Sequence, residues 1–183
     1  EPGYDPQFAY GYGLSYARPA QVGTLAEDPG RVVVRGNLDG YFRDGRVLAP
    51  WSLILRDDGG DARVGQRLAA SSPRANLSVR ATDGSAQESA MALTFSGPAQ
   101  AVIFGQPVDL SRQRNGDMVL AFSARLDAVP TGPVELGFGQ DRIDIAPLLA
   151  QGRVGEWRQI RVRLACFDAA RADVAAVETP FVL

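Results

Sequence analysis

The chain has 183 residues, 45% of them hydrophobic, and a formal net charge of −2. That is enough to bury one core, and no apolar run approaches the roughly 20 residues of a membrane-spanning helix. All 19 basic residues are arginine, interspersed with carboxylates, which leaves no basic footprint for nucleic acid, and the absence of histidine excludes serine–histidine or cysteine–histidine catalysis and histidine-ligated zinc within the chain.

Taken in chain order, the first element is "FAYGYGLSYA" at 8–17, a dense aromatic strand with almost nothing before it. A strand needs a neighbour for its backbone N–H and C=O groups. The stretch is then either the first strand of a self-contained domain or the edge of something larger. The start, Glu-Pro-Gly-Tyr, carries no basic-then-apolar leader and reads as a processed or excised terminus. Residues 17–30, rich in Pro, Gly and polar side chains, read as a linker, and 31–183 as one domain.

Within that domain short β-branched or aromatic runs dominate: "RVVVRG" at 31–36, "WSLILRD" at 51–57, "ANLSVRA" at 75–81 and "AMALTFSG" at 90–97. "AQAVIFG" at 99–105, "DMVLAFSARLD" at 117–127, "PVELGFG" at 133–139 and "EWRQIRVRLACF" at 156–167 follow. Turn chemistry bounds them, as Asp39-Gly40, Asp44-Gly45, Gly59-Gly60, Asp83-Gly84, Asn115-Gly116 and Thr131-Gly132-Pro133. About eight to ten strands at this spacing indicate an all-β fold, an antiparallel sandwich or jelly roll. Two stretches, "DIAPLLAQGR" from Asp144 and "FDAARADVAAVETP" from Phe167 with Asp168 as cap, read as one- or two-turn helical connections.

Period-two alternation then sorts the side chains by face. Met118, Leu120, Phe122, Ala124 and Leu126 share one side of their strand, leaving Arg125 and Ser123 on the other. Ile160, Val162, Leu164 and Cys166 share the core side, leaving Trp157, Gln159, Arg161 and Arg163 opposite. Val134, Leu136 and Phe138 point inward and Glu135 outward; Leu77 and Val79 inward, and Asn76, Ser78 and Arg80 outward. A face bearing Trp157, Arg161, Arg163, Arg125, Glu135 and Arg80 suits sugar recognition, because apolar sugar faces stack on indole while hydroxyls take directional hydrogen bonds. A plain solvated sheet face shows the same alternation and is the simpler reading. Trp51 shares parity with Leu53 and Leu55 and is assigned to the core.

No cofactor is expected. The acidic loop "RDDGGDARVG", with Asp57, Asp58 and Asp61, offers oxygen ligands for a structural calcium, but its spacing matches no calcium-loop pattern and a hairpin turn is preferred. The lone Cys166 cannot form an internal disulfide and, in "RLACF", is expected to be a buried structural thiol. Carboxylates are plentiful (Asp39, Asp44, Asp57, Asp61, Glu135, Asp141, Asp144), but glycoside hydrolysis needs two flanking one bond, and nothing in the sequence places a pair in one cleft.

The stretch "FAYGYGLSY" resembles the "FPFGYGLSY" segment of glycoside hydrolase family 3 β-glucosidases, with Ala9-Tyr10 in place of Pro-Phe. The later sequence is similar to the C-terminal, galactose-binding-like sandwich of bacterial exo-1,3/1,4-β-glucanases of that family. The matching features are Asp109-Leu110-Ser111, Leu120-Ala121-Phe122 with Arg125, Gly155-Glu156-Trp157 and Cys166-Phe167. The resemblance implies that residues 1–16 are the tail strand of an upstream catalytic α/β domain, and that the rest is a non-catalytic accessory module attached to the catalytic domains of the same polypeptide. It binds β-glucan or oligosaccharide, or supports those domains, in a periplasmic or extracellular enzyme that cleaves terminal β-glucosyl units with retention. The family's nucleophile and acid/base residue belong upstream, and no residue here matches either. The alternative is a purely structural packing or dimerisation domain; neither nucleic acid nor membrane is an expected partner.

Overall fold

A computed structural model describes residues 41–43, 46–65, 68–85, 88–116 and 118–183. The expected tail at 1–16, the linker at 17–30 and the strand at 31–36 lie outside the described residues, as do Asp39 and Asp44.

In chain order the described strands are β1 (Phe42–Arg43), β2 (Arg46–Val47), β3 (Ser52–Asp57), β4 (Gly60–Arg63), β5 (Ala69–Ser71), β6 (Leu77–Ser85) and β7 (Glu88–Phe95). They continue with β8 (Gln100–Phe104), β9 (Val119–Arg125), β10 (Glu135–Phe138), β11 (Asp141–Asp144), β12 (Trp157–Arg163) and β13 (Phe181–Val182). Three short helices connect them: α1 (Ser111–Asn115), α2 (Ala146–Ala150) and α3 (Ala169–Ala172). The pairings are antiparallel, in a six-stranded sheet ordered β11-β10-β13-β8-β3-β4, a three-stranded sheet β5-β6-β7, and the pairs β9–β12 and β1–β2. The fold is thus all-β with short helical turns, as the alternation and turn chemistry lead one to expect.

Alternation builds the core. Leu53 and Leu55 of β3, Ile103 of β8 and Leu136 and Phe138 of β10 point to one face of the six-stranded sheet. There they join Leu77 and Val79 of β6, Leu120 of β9 and Ile160 and Val162 of β12 in a single buried cluster. The rings of Phe122 and Phe181, on β9 and β13, meet edge-on at 5.2 Å, so the β9–β12 pair lies over the inner face of the large sheet. Trp51 is in the core, edge-on to Tyr41 at 5.0 Å and pressed against the backbone of Gly105. The opposite face of the large sheet carries a smaller apolar strip, Ile54, Val102 and Val182, with Phe104 beside it under the guanidinium of Arg63.

The two helical connections read from sequence are present, and Asp168 caps α3 by accepting the N–H groups of Ala170 and Arg171. Helix α1 was not expected; Asp109 opens it by accepting the Ser111 N–H. Two other expectations are corrected. β6 runs through Asp83-Gly84, bulging between Asp83 and Ser85 instead of turning there. β12 ends at Arg163, and a 3₁₀ turn over Leu164–Cys166 follows. Its tighter pitch breaks the period-two pattern: Leu164 and Phe167 are fully buried, while Cys166 is exposed, not a core thiol.

Candidate functional site

The β9–β12 pair sets Trp157 directly opposite Arg125, Arg161 opposite Ala121 and Arg163 opposite Val119. With Ile160 and Val162 committed to the core, the pleat leaves Trp157, Gln159, Arg161 and Arg163 of β12 on the outer face with Ser123 and Arg125 of β9. Four of the six side chains singled out from sequence therefore meet on one surface.

Trp157 is the first residue of β12 and is 41% exposed. The approach to it is fixed by Gly155, whose φ of +85° suits glycine and whose N–H donates to the carbonyl of Leu126 at 2.8 Å. The Arg125 guanidinium sits over the indole, its carbon 5.3 Å from the ring centroid, a cation–π arrangement. Asp127 holds that guanidinium in place, with Nε donating to Oδ1 at 2.8 Å and Nη2 to Oδ2 at 3.3 Å. An indole, a guanidinium and a carboxylate are thereby locked side by side. Further along, Arg161 Nε donates to Gln159 Oε1 at 2.9 Å, and burial lowers the pKa of this half-buried guanidinium from its ordinary value.

The other two candidates lie elsewhere. Glu135 projects from the outer face of the six-stranded sheet, directly opposite Asp144 and near the guanidinium of Arg142. Arg80 is exposed on β6, in the three-stranded sheet. Alternation assigns each its outward direction correctly, but it carries no information about which sheet a strand joins. Asp127, in contrast, was missed, although the signal was there: "ARLD" puts an acid two residues after the arginine.

Among the described residues, Glu135 and Asp144 are the one cross-strand carboxylate pair of the acids weighed above, and both are open to solvent. A general acid is made by an apolar pocket, and nothing encloses these two. Asp144 also accepts the Ala146 N–H. Asp141 is buried, accepting the Asp168 N–H, with Arg171 at 3.4 Å. In the acidic loop, Asp57 accepts the N–H groups of Gly59 and Arg74, Asp58 faces Arg74 at 3.2 Å, and Asp61 takes two hydrogen bonds from Arg56. The loop closes the β3–β4 hairpin, and among the described residues no three His, Cys, Asp or Glu side chains gather as a metal site.

Exposed apolar side chains also occur in the loops near the start of β12. Of the five exposed large apolar side chains among the described residues, Val129, Val154 and Leu148 belong to segments at the Trp157 end of the β9–β12 pair. The Gly155–Leu126 hydrogen bond joins two of those loops, and Arg158 Nη1 donates to the carbonyl of Leu148. Single exposed apolar residues are ordinary on a protein surface.

A family profile described as galactose-binding domain-like (Exop_C) matches residues 49–183. No curated protein sequence matches the chain. Among solved structures, the extra C-terminal domain of an exo-1,3/1,4-β-glucanase from a Pseudoalteromonas species is similar with a TM-score of 0.61 and 16% identity, over 78% of this chain and 81% of that one. The exo-1,3/1,4-β-glucanase from the same organism is similar with a TM-score of 0.60 and 18% identity, over 100% of this chain and 22% of that one. At these identities the likeness is one of fold, and the chain spans about a fifth of the longer enzyme's length.

Proposed function

Because the chain belongs to the galactose-binding domain-like family Exop_C, we propose that it is a non-catalytic accessory module of a β-glucan-hydrolysing enzyme, holding carbohydrate at the Trp157 face. The observation that carries this reading is the Trp157–Arg125–Asp127 set: a partly exposed indole beside fixed hydrogen-bond donors and acceptors. Stacking supplies affinity for the apolar face of a pyranose, and the charged neighbours supply direction for its hydroxyls. The family 3 resemblance of "FAYGYGLSY" supports an upstream catalytic partner in the same polypeptide, a β-glucosidase or exo-β-glucanase working in the periplasm or outside the cell. Tethering makes even millimolar affinity useful, since the linked substrate is concentrated near the catalytic domains.

The experiment is a titration of the 183-residue chain with laminarin oligosaccharides and cellobiose, followed by tryptophan fluorescence. A saturable change that Trp157→Ala abolishes supports the reading. A trace flat to about 50 mM sugar overturns it, because tethering gains little beyond that range.

A second reading rests on the exposed apolar side chains of Val129, Val154 and Leu148. It makes the same end a packing surface against other domains or a second copy, with no ligand of its own. Removing the module from the parent enzyme then lowers its thermal stability without changing its preference between polymer and short substrates.

A further inference from the structure

If the face binds carbohydrate, its geometry limits how much carbohydrate it takes. Trp157 is the one aromatic side chain that the β9–β12 register places on that face; the positions following it on β12 are Gln159, Arg161 and Arg163, and Arg125 is preceded on β9 by Ser123 and Ala121. Sites that hold an extended sugar chain need stacking surfaces repeated along the chain, and among the described residues of this face the repeat is missing. The single platform is itself one-sided, since the Arg125 guanidinium covers part of the indole while the residue stays 41% exposed.

The polar partners narrow the chemistry further. Arg125 uses Nε and Nη2 on Asp127, and the Asp127 side chain is 73% exposed. The pair therefore presents a donor and an acceptor next to each other with its charges mutually compensated. Each sugar hydroxyl both donates and accepts, so a vicinal diol complements that pair.

We propose, resting on the carbohydrate-binding reading above, that Trp157, Arg125 and Asp127 form a single-residue subsite for one pyranose with an accessible vicinal diol, engaging a chain end and not a run of glucan. Asp127 is the acceptor for the diol, and Arg125 holds both the ring and the acid in register.

The test is calorimetric titration of the 183-residue chain with methyl β-D-glucopyranoside, laminaribiose and laminaripentaose. The expected result is one affinity, constant within about twofold, for the three ligands. Asp127→Ala, at an exposed position, and Arg125→Lys, which keeps the charge but loses the planar fork, each weaken all three ligands alike. Affinity that climbs with each added glucose overturns the single-residue subsite while leaving carbohydrate binding in place. Absence of heat with every ligand removes both.

Discussion

The carboxylate of Asp141 accepts the backbone N–H of Asp168 at 2.8 Å, joining β11 to the capped start of α3 across 27 positions of chain. Asp141 is 6% exposed, and the rings of Phe138 and Phe167 pack 5.4 Å apart among the neighbouring residues of the same two segments. Replacing it by alanine strips a buried N–H of its acceptor. Asp141→Ala is expected to cost about 1–3 kcal/mol, and Asp141→Asn, which keeps an acceptor oxygen, less. Urea denaturation of the three proteins checks the order; equal midpoints contradict it.

Gly139 and Gly137 lie two residues apart and respond differently to a methyl group. Gly139 has φ +60°, and a β-carbon there runs into the backbone carbonyl of Ala172. At Gly137 a β-carbon stands 2.7 Å from Cζ of Arg142, the far end of a side chain and not backbone, held by Nη1 hydrogen bonds to the carbonyls of Gly139 and Asp141. Gly139→Ala is expected to lose about 3 kcal/mol or more and Gly137→Ala about 1 kcal/mol, measured by thermal melts.

The acidic hairpin contributes to the response to pH. Burial acts to raise the pKa of Asp57, but hydrogen bonds from the Ser72 hydroxyl and the N–H groups of Arg74, Gly59 and Asn76 outweigh it and hold the carboxyl below its ordinary value. The hydrogen bond from Arg56 lowers Asp61 likewise. A depressed carboxylate contributes its stability in full above its unfolded pKa, near 4, and loses it as pH falls through the folded value. Without histidine, no inflection is expected near pH 6.5. Stability should hold from pH 8 to 5 and fall below about 4, less steeply in Asp57→Asn and Asp61→Asn; parallel acid limbs in all three contradict this assignment.

The two tryptophans separate by environment. Trp51, edge-on to Tyr41 and against Gly105, is core, and Trp51→Ala is expected to cost about 3–5 kcal/mol, whereas Trp157→Ala costs under about 1 kcal/mol. In emission spectra Trp51→Phe should leave a red-shifted signal from Trp157, and Trp157→Ala a blue one.

Cys166 should react with a chromogenic disulfide reagent at one thiol per native chain, because the 3₁₀ turn brings it to the surface. Labelling only after unfolding would contradict that placement.

Strand parity was legible wherever one face is buried. The apolar sets Leu53/Leu55, Leu120/Phe122 and Ile160/Val162 point inward as their alternation requires, and Trp157, Arg125, Arg161 and Arg163 emerge together for the same reason. Parity stops at the strand. That Glu135 joins the six-stranded sheet and Arg80 the three-stranded one depends on long-range pairing that no local pattern encodes. Short edge elements such as β4 and β11 are too brief to show a period, and Cys166 was misplaced because a strand-to-3₁₀ change leaves the hydrophobic string "RLACF" unbroken. Asp127 was visible only as a strand-end acid until the fork of Arg125 turned toward it.

The turn that carries Cys166 outward also places the chain's sole sulfhydryl just beyond the far end of the strand that begins with Trp157. Six steps at about 3.3 Å each put β12's ends roughly 20 Å apart. With Trp51 replaced by phenylalanine, an energy-transfer acceptor attached at Cys166 would thus sit at a useful distance from the Trp157 donor, and the molecule carries its own optical ruler across the face where a glycan is proposed to land.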